Sequence, residues 1–117
     1  MYRLSILLFA IAAVAGLIMA ITHFRKATAP RPVLAVLHGV FAASGLVVLL
    51  LALIKVGMQG APAIALGLLL VAALGGFGLL SFHLRGRALP SGLVVGHALL
   101  AVAGFVTLLA AEFVIMS

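Results

Sequence analysis

Four long apolar runs dominate this sequence, and short segments containing proline, glycine or basic residues separate them. A helix needs about 20 apolar residues to cross the ~30 Å hydrocarbon core of a bilayer. Because lipid cannot hydrogen-bond to exposed backbone groups, each run is predicted to form one complete helix. Residues 13–15 before Gly16 also fit a signal-peptide cleavage site, but we interpret this segment as the first span. The predicted spans are Leu4 to Phe24, Val33 to Val56, Pro62 to Leu84 and Gly92 to Met116.

Short connections make consecutive helices antiparallel, so the sequence predicts an all-α, integral membrane four-helix bundle, with residues 1–117 as a single transmembrane domain. Composition agrees, since 68% of the residues are hydrophobic and only 7% are charged. Soluble proteins carry about 25% charged residues. A soluble enzyme, a coiled coil and a disordered tail are therefore excluded. The formal charge of +6 comes from residues between apolar runs, so we expect a lipid bilayer and no nucleic acid as partner.

The basic residues also indicate an orientation, because cytoplasmic loops carry an excess of Lys and Arg. Five of the seven lie in the first and third connections, namely Arg25, Lys26, Arg31, Arg85 and Arg87. We therefore expect those connections in the cytoplasm and both termini outside, in a bacterial inner membrane. Lys55 and Glu112 lie near the opposite ends of their spans and are predicted to pair there, because an unpaired charge is costly in lipid.

The two halves of the chain resemble each other, which predicts a duplicated hairpin with repeats 1–57 and 58–117. A shift of 60 places His23 on His83, and a shift of 59 places His38 on His97. Nine of the twenty residues in 33–52 are identical to their counterparts in the second half. Each repeat holds two spans, so the copies are expected in parallel orientation, related by a pseudo-twofold axis along the membrane normal.

All four histidines are expected toward the cytoplasmic end of the bundle. In each span a glycine stands seven residues from the histidine, which places the two on one helix face about 10.5 Å apart. Two structural explanations stay open: small residues let membrane helices approach closely without any ligand, and interfacial histidines are solvated by headgroups and water. The pairs are Gly16/His23, Gly45/His38, Gly76/His83 and Gly104/His97.

The side-chain inventory narrows the ligands that these histidines could hold. One acidic residue and no cysteine exclude paired carboxylates, Ser-His-Asp triads, thiolate metal sites and disulfides. The double positive charge of a bare Zn²⁺ or Cu²⁺ would stay uncompensated by the neutral imidazoles in a low dielectric. A proton relay would usually need an acidic side chain within the membrane, and none is present near the histidines. Haem b fits better, because neutral histidines supply its axial bonds, arginines meet its propionates and the glycines leave room for a flat macrocycle. The candidate arginines are Arg25, Arg31, Arg85 and Arg87.

With these four histidines and four glycines, the chain resembles the four-helix, bis-histidine b-type cytochromes of membranes. The resemblance is one of architecture over the whole bundle, and it implies a haem b-binding electron-transfer module. The simplest site is one haem between His38 and His97, with His23 and His83 supporting it, holding a second haem or binding nothing; two equivalent haems are the alternative. Because every histidine is expected near one face, exchange with quinol or a partner subunit there is favoured over transfer across the membrane.

Two other classes of function remain open at this point. A structural or accessory subunit of a larger membrane complex, or of a homo-oligomer, fits the short loops and the Gly/Ala-rich faces. A small transporter fits the length and the four spans, but the small multidrug-resistance exporters that the chain resembles in size rely on a carboxylate in the first span. No hydroxyl stands beside a base and an orienting acid, so a carrier or subunit is favoured over a stand-alone enzyme.

Overall fold

A computed structural model describes residues 2–26 and 31–116, without the side chains of Lys26, Ile115 and Met116. The described residues form an all-α bundle, and each predicted span is confirmed to within two residues at either end. All four helices are long and apolar enough to cross a membrane. In chain order they are α1 (Arg3–Lys26), α2 (Pro32–Val56), α3 (Gly60–Leu84) and α4 (Ser91–Met116).

Helix boundaries follow from local chemistry. Pro32 occupies the first position of α2, where its missing N–H costs nothing. After α3, Gly86 adopts a φ of 66° that favours glycine. Its N–H donates to the carbonyl of His83 at 3.1 Å, and the N–H of Arg87 donates to that of Phe82 at 2.9 Å. These two bonds satisfy carbonyls that the helix end would otherwise leave without partners, and they turn the chain back toward α4.

The helices form a square bundle measuring 43 × 22 × 22 Å. The tightest packing lies within the hairpins, between α1 and α2 and between α3 and α4. The hairpins pack more sparsely on each other, through α2 against α3 and α1 against α4. Within the described residues, α2 and α4 lie diagonally opposite without helix-to-helix contact. A side chain shared by α2 and α4 therefore has to reach across the centre of the bundle.

The large core side chains lie at one end, which we call the Glu112 end. Leu49, Leu53 and Leu108 are fully buried there, and the cluster continues toward the middle through Phe9 and Leu69. The half toward the other end, which we call the basic end, buries mainly small residues of α1 and α3. The two halves of the bundle are thus packed differently, with bulky aliphatic groups in one and small residues around partly buried histidines in the other.

The outer surface of the bundle is largely apolar. Large hydrophobic side chains on every helix are exposed, for example Leu74 at 69% and Val36 at 62%. A monomeric soluble protein rarely exposes contiguous apolar surface on this scale. The arrangement fits an integral membrane protein whose aliphatic surface meets lipid.

Candidate ligand site between His38 and His97

Two histidines cross from one helix to the backbone of its hairpin partner. Nδ1 of His38, in α2, lies 2.8 Å from the carbonyl oxygen of Ala12 in α1. Nδ1 of His97, in α4, lies 2.6 Å from the carbonyl oxygen of Ala72 in α3. Both contacts are partly buried. The same hydrogen bond therefore forms at equivalent places in the two hairpins.

A glycine makes room for each of these imidazoles. A Cβ atom at Gly16 would lie 3.0 Å from Nδ1 and Cε1 of His38, and one at Gly76 would lie 3.1 Å from Cε1 of His97. Each glycine follows the accepting alanine by four residues. Helical side chains lean toward the N-terminus, so a side chain at that position would cover the turn that contains the alanine carbonyl. The missing Cβ leaves the carbonyl accessible to a donor from the next helix.

The two imidazoles meet across the diagonal of the bundle. Their ring centroids are 6.0 Å apart and their planes are inclined by 81°. A carbonyl oxygen can only accept a hydrogen bond, so Nδ1 carries the proton in both rings. In the neutral tautomer Nε2 then holds a free lone pair. No described residue donates to Nε2 of either ring, so each keeps one basic nitrogen available.

This pair of side chains, the His38–His97 pair, lies nearer the middle of the bundle than the sequence indicated. The accepting Ala72 is twelve residues from both ends of α3, and Ala12 is nine residues from the first residue of α1. The accepting alanines are more residues away from the basic ends of α1 and α3 than the histidines are from the basic ends of α2 and α4. The first and third helices therefore extend further toward the basic end than the second and fourth. The pair therefore lies about halfway along α1 and α3, although His38 and His97 are each only six residues from the first residue of their own helix.

The expectation that all four glycines form open grooves beside the histidines of their own helices is wrong. Gly16 and Gly76 face histidines of the neighbouring helix, as described above. A Cβ at Gly45 would lie 2.8 Å from the Phe9 ring, and one at Gly104 would lie 2.7 Å from Leu69. Side chains of the antiparallel partner fill these positions, as expected for small residues that allow close helix approach. Any macrocycle would have to lie between the hairpins.

The other two histidines lie apart from the pair. Nε2 of His23 is 3.1 Å from the hydroxyl of Ser91, which links the basic ends of α1 and α4. Nδ1 of His83 is buried without a hydrogen-bond partner in the described structure. The repeat places Pro32 where Ser91 would be needed for His83, and proline offers no hydroxyl. Among the described residues, no three metal-binding side chains come together, so the four histidines do not form one cluster.

The charged residues separate to the two ends of the bundle. Arg25, Arg31 and Arg87 are exposed at the basic end. Arg85 is also exposed but is partly engaged: its Nε donates to the Ser81 carbonyl at 3.2 Å, and its guanidinium lies 5.1 Å from the centre of the Phe82 ring. All four arginines predicted to meet propionates thus belong to one end, and three of them make no side-chain contact of this kind with a described residue.

Glu112 is buried at the opposite end, and its predicted pairing with Lys55 is wrong. Its Oε1 lies 3.6 Å from Nε of Arg3, and its Oε2 accepts the backbone N–H of Tyr2 at 3.1 Å. Lys55 is exposed and makes no ion pair with a described residue. The start of α1 lies beside the end of α4, so Arg3 reaches the carboxylate while Lys55, on α2, faces outward.

The described residues thus form a four-helix bundle of membrane-spanning length in which two histidines from different hairpins lie side by side. Comparison with known proteins adds no relative, since no family model, no curated protein and no solved structure matches the chain significantly.

Proposed function

We propose that this protein is an integral membrane module that binds haem b between His38 and His97 and transfers electrons. The geometry of the His38–His97 pair carries the proposal. Ligating histidines almost always donate their other ring N–H to a carbonyl, carboxylate or water, and both rings do so here. The two rings also lie close enough to share one small metal-containing ligand, since their centroids are 6.0 Å apart.

The charge distribution favours haem over a bare divalent ion. The only carboxylate side chain, Glu112, lies at the far end and is already paired with Arg3. Two neutral imidazoles would leave a divalent charge uncompensated in a low dielectric. A porphyrin would compensate ferrous iron internally, and exposed Arg25, Arg31 and Arg87 would be cationic partners for its propionates. When bound, the haem supplies a one-electron redox couple whose potential depends on its axial ligands and burial.

The chain's own residues would fix the ligand and exclude water. His38 and His97 would hold the iron from the two hairpins, and the alanine carbonyls would fix their ring orientation. Both imidazoles are partly buried between the helices, which would limit the access of water to a ligand held there. Such a site suits electron exchange with a membrane-dissolved quinol or with a neighbouring subunit. His23 and His83 lie outside it, so one haem for each chain is the arrangement that the contacts support.

The recurrence of contacts supports an internal duplication. Ala12, Gly16 and His38 correspond to Ala72, Gly76 and His97, and each trio makes the same contacts. The contact of Gly45 with Phe9 has its counterpart in that of Gly104 with Leu69. We take the repeats as 1–57 and 58–117, in parallel orientation, with the basic end in the cytoplasm of a bacterial cell.

Absorption spectroscopy tests the proposal directly. Protein purified in mild detergent from haem-replete cells should show a Soret band that shifts on reduction with dithionite. His38→Ala and His97→Ala should each abolish most of the haem signal, whereas His23→Ala should retain it as the matched control. A colourless wild-type protein that also fails to take up added hemin would refute the proposal.

A structural or accessory role is the second candidate, and one observation favours it. The glycines are filled by side chains of the partner helices, and the His–carbonyl bonds are themselves interhelical links of about 0.6 kcal/mol, up to ~1.7, in membrane proteins. Two rings with centroids 4.5–7 Å apart can also attract each other without any metal. This role predicts that the double variant His38→Ala/His97→Ala still co-purifies with the same partner subunits, or the same homo-oligomer, as the wild type.

A further inference from the structure

Each imidazole of the His38–His97 pair is held by an alanine carbonyl that a glycine four residues later leaves uncovered. We infer that Gly16 and Gly76 are positioning residues, which fix the Nδ1–H tautomer of these histidines and so keep Nε2 as the nitrogen with a free lone pair. This inference rests on the proposed function for its purpose, because only a ligand between the hairpins needs both Nε2 atoms free. Its geometry stands independently of that function.

The contact distances show why a side chain at either glycine would disturb the hydrogen bond that fixes the tautomer. The carbonyl of Ala12 has its ordinary helical donor in the N–H of Gly16, so the imidazole adds a second donor to the same oxygen. A methyl group at Gly16 or Gly76 would press within about 3 Å of the ring that makes this bond. Each ring would have to rotate or withdraw, and Nδ1 would lose its acceptor.

The two neutral tautomers of histidine differ in which ring nitrogen can bind a metal. With Nδ1–H held by the carbonyl, Nε2 presents a lone pair that can bind a metal. Without that bond, the proton is free to move to Nε2, and the lone pair then faces the neighbouring helix. An otherwise correctly folded bundle would then carry a proton on the nitrogen that has to bind the metal. Gly16 and Gly76 therefore govern ligand binding without touching the ligand.

The chain offers a closely matched control. Gly75 precedes Gly76 on α3, and a Cβ there would lie 3.5 Å from Cβ of His97, which is ordinary van der Waals contact. Gly75→Ala and Gly76→Ala thus make the same chemical change one residue apart. Nδ1 of His97 would lie 3.7 Å from either new methyl group, and only Gly76→Ala brings a methyl group to 3.1 Å from Cε1 of the ring. On α2, Gly39→Ala meets open space and controls for the substitution of a helical glycine.

Nitrogen NMR of the haem-free full-length protein in nanodiscs tests the inference. With ¹⁵N-labelled histidine, the wild type should show both pair histidines as Nδ1–H tautomers. Gly76→Ala should abolish that signature for His97 and leave His38 unchanged, Gly16→Ala should do the converse, and Gly75→Ala should change neither. Wild-type rings protonated on Nε2, or a Gly76→Ala protein with an unchanged His97 signature, would overturn the inference.

A second readout separates this inference from the proposed function. If the wild type binds added hemin, Gly76→Ala should lower hemin affinity at least tenfold while Gly75→Ala stays within twofold of the wild type. If the wild type binds no hemin, the proposed function fails, yet the tautomer measurement still decides whether the glycines position the rings. Should the Gly76→Ala protein fail to fold, Gly16→Ala decides the same question in the first hairpin, where a Cβ would lie 3.0 Å from the ring of His38.

Discussion

Gly45 of α2 and Phe9 of α1 are in such close contact that a Cβ atom at position 45 would lie 2.8 Å from Cε1 of the phenyl ring. Phe9 is buried in the core, with 6% of its surface exposed, so its ring has little room to move away. The absence of a side chain at Gly45 is therefore what brings the first two helices together. Gly104 and Leu69 repeat the arrangement in the second hairpin.

Gly45→Ala is expected to destabilise the first hairpin. An alanine gains about 1 kcal/mol of helix propensity over glycine. Overpacking a filled site costs roughly 1–3 kcal/mol. Because the contact is with the buried ring of Phe9, we expect the steric cost to exceed the propensity gain, and the unfolding temperature in detergent to fall.

The control for this prediction lies on the same helix. Gly39→Ala has open space around the new methyl group and should be neutral or slightly stabilising. Removing the ring as well, in Gly45→Ala/Phe9→Ala, should show favourable coupling in a double-mutant cycle. Additive effects of the two substitutions would show that the contact is not what limits helix approach.

The stoichiometry of the ligand follows from the arrangement of the histidines. His38 and His97 share one site, His23 is bonded to Ser91, and His83 lies elsewhere. We expect hemin titration to saturate at one equivalent per chain, followed by its Soret absorbance. Ser91→Ala releases His23 from its hydrogen bond and should leave that end point unchanged. A second equivalent, lost on His23→Ala, would instead support the two-haem alternative.

The sequence predicted the fold well because its strongest signal is physical and local. Apolar length fixes each helix in a membrane, and residues such as Pro32 and the glycine at position 86 mark its ends. It also singled out His38, His97, Gly16 and Gly76. What it missed was the partner of each glycine, since spacing along one helix carries no information about the rotation and offset of its neighbour.

The spacing between alanine and glycine in α1 and α3 could have predicted the hydrogen bonds that the histidines make with the neighbouring helices. Ala12 and Gly16, like Ala72 and Gly76, are four residues apart, which is the spacing that uncovers a helical carbonyl. The Lys55–Glu112 prediction failed for a related reason. Lys55 and Glu112 lie near the same end of the bundle, but a similar position along the bundle axis does not decide which helix faces the carboxylate. The start of α1 lies beside the end of α4, so Arg3 is the residue that contacts Glu112.

Tyr2 reports on the environment of Glu112. Burial raises the pKa of the Tyr2 phenol above its ordinary value, and the nearby Glu112 carboxylate raises it further. Tyr2 is the only tyrosine, and the chain has no tryptophan, so ultraviolet absorbance follows its ionisation without overlap. Glu112→Gln removes the negative charge, so the phenol should ionise at lower pH than in the wild type. An unchanged titration would mean that burial alone sets this pKa.

The raised pKa also gives the sign of a stability change at alkaline pH. The unfolded phenol loses its proton at its ordinary pKa while the folded one retains it, so the free energy of unfolding falls as pH rises above about 10. Glu112→Gln should weaken this fall, because the two pKa values then lie closer together. Thermal unfolding in detergent at pH values on both sides of that window measures the effect, with Arg3→Gln as a variant that keeps the carboxylate.

The orientation of the bundle is accessible to cysteine labelling, since the chain has no cysteine of its own. Gln59, between α2 and α3, and Ala88, between α3 and α4, are both exposed and lie at opposite ends. The excess of Lys and Arg at the basic end predicts that this end is cytoplasmic. In intact cells, a membrane-impermeant maleimide should label Gln59→Cys, and it should label Ala88→Cys only after permeabilisation. The reverse pattern would place the arginines outside and would move any propionate contact, and the redox partner that approaches it, to the opposite side of the membrane.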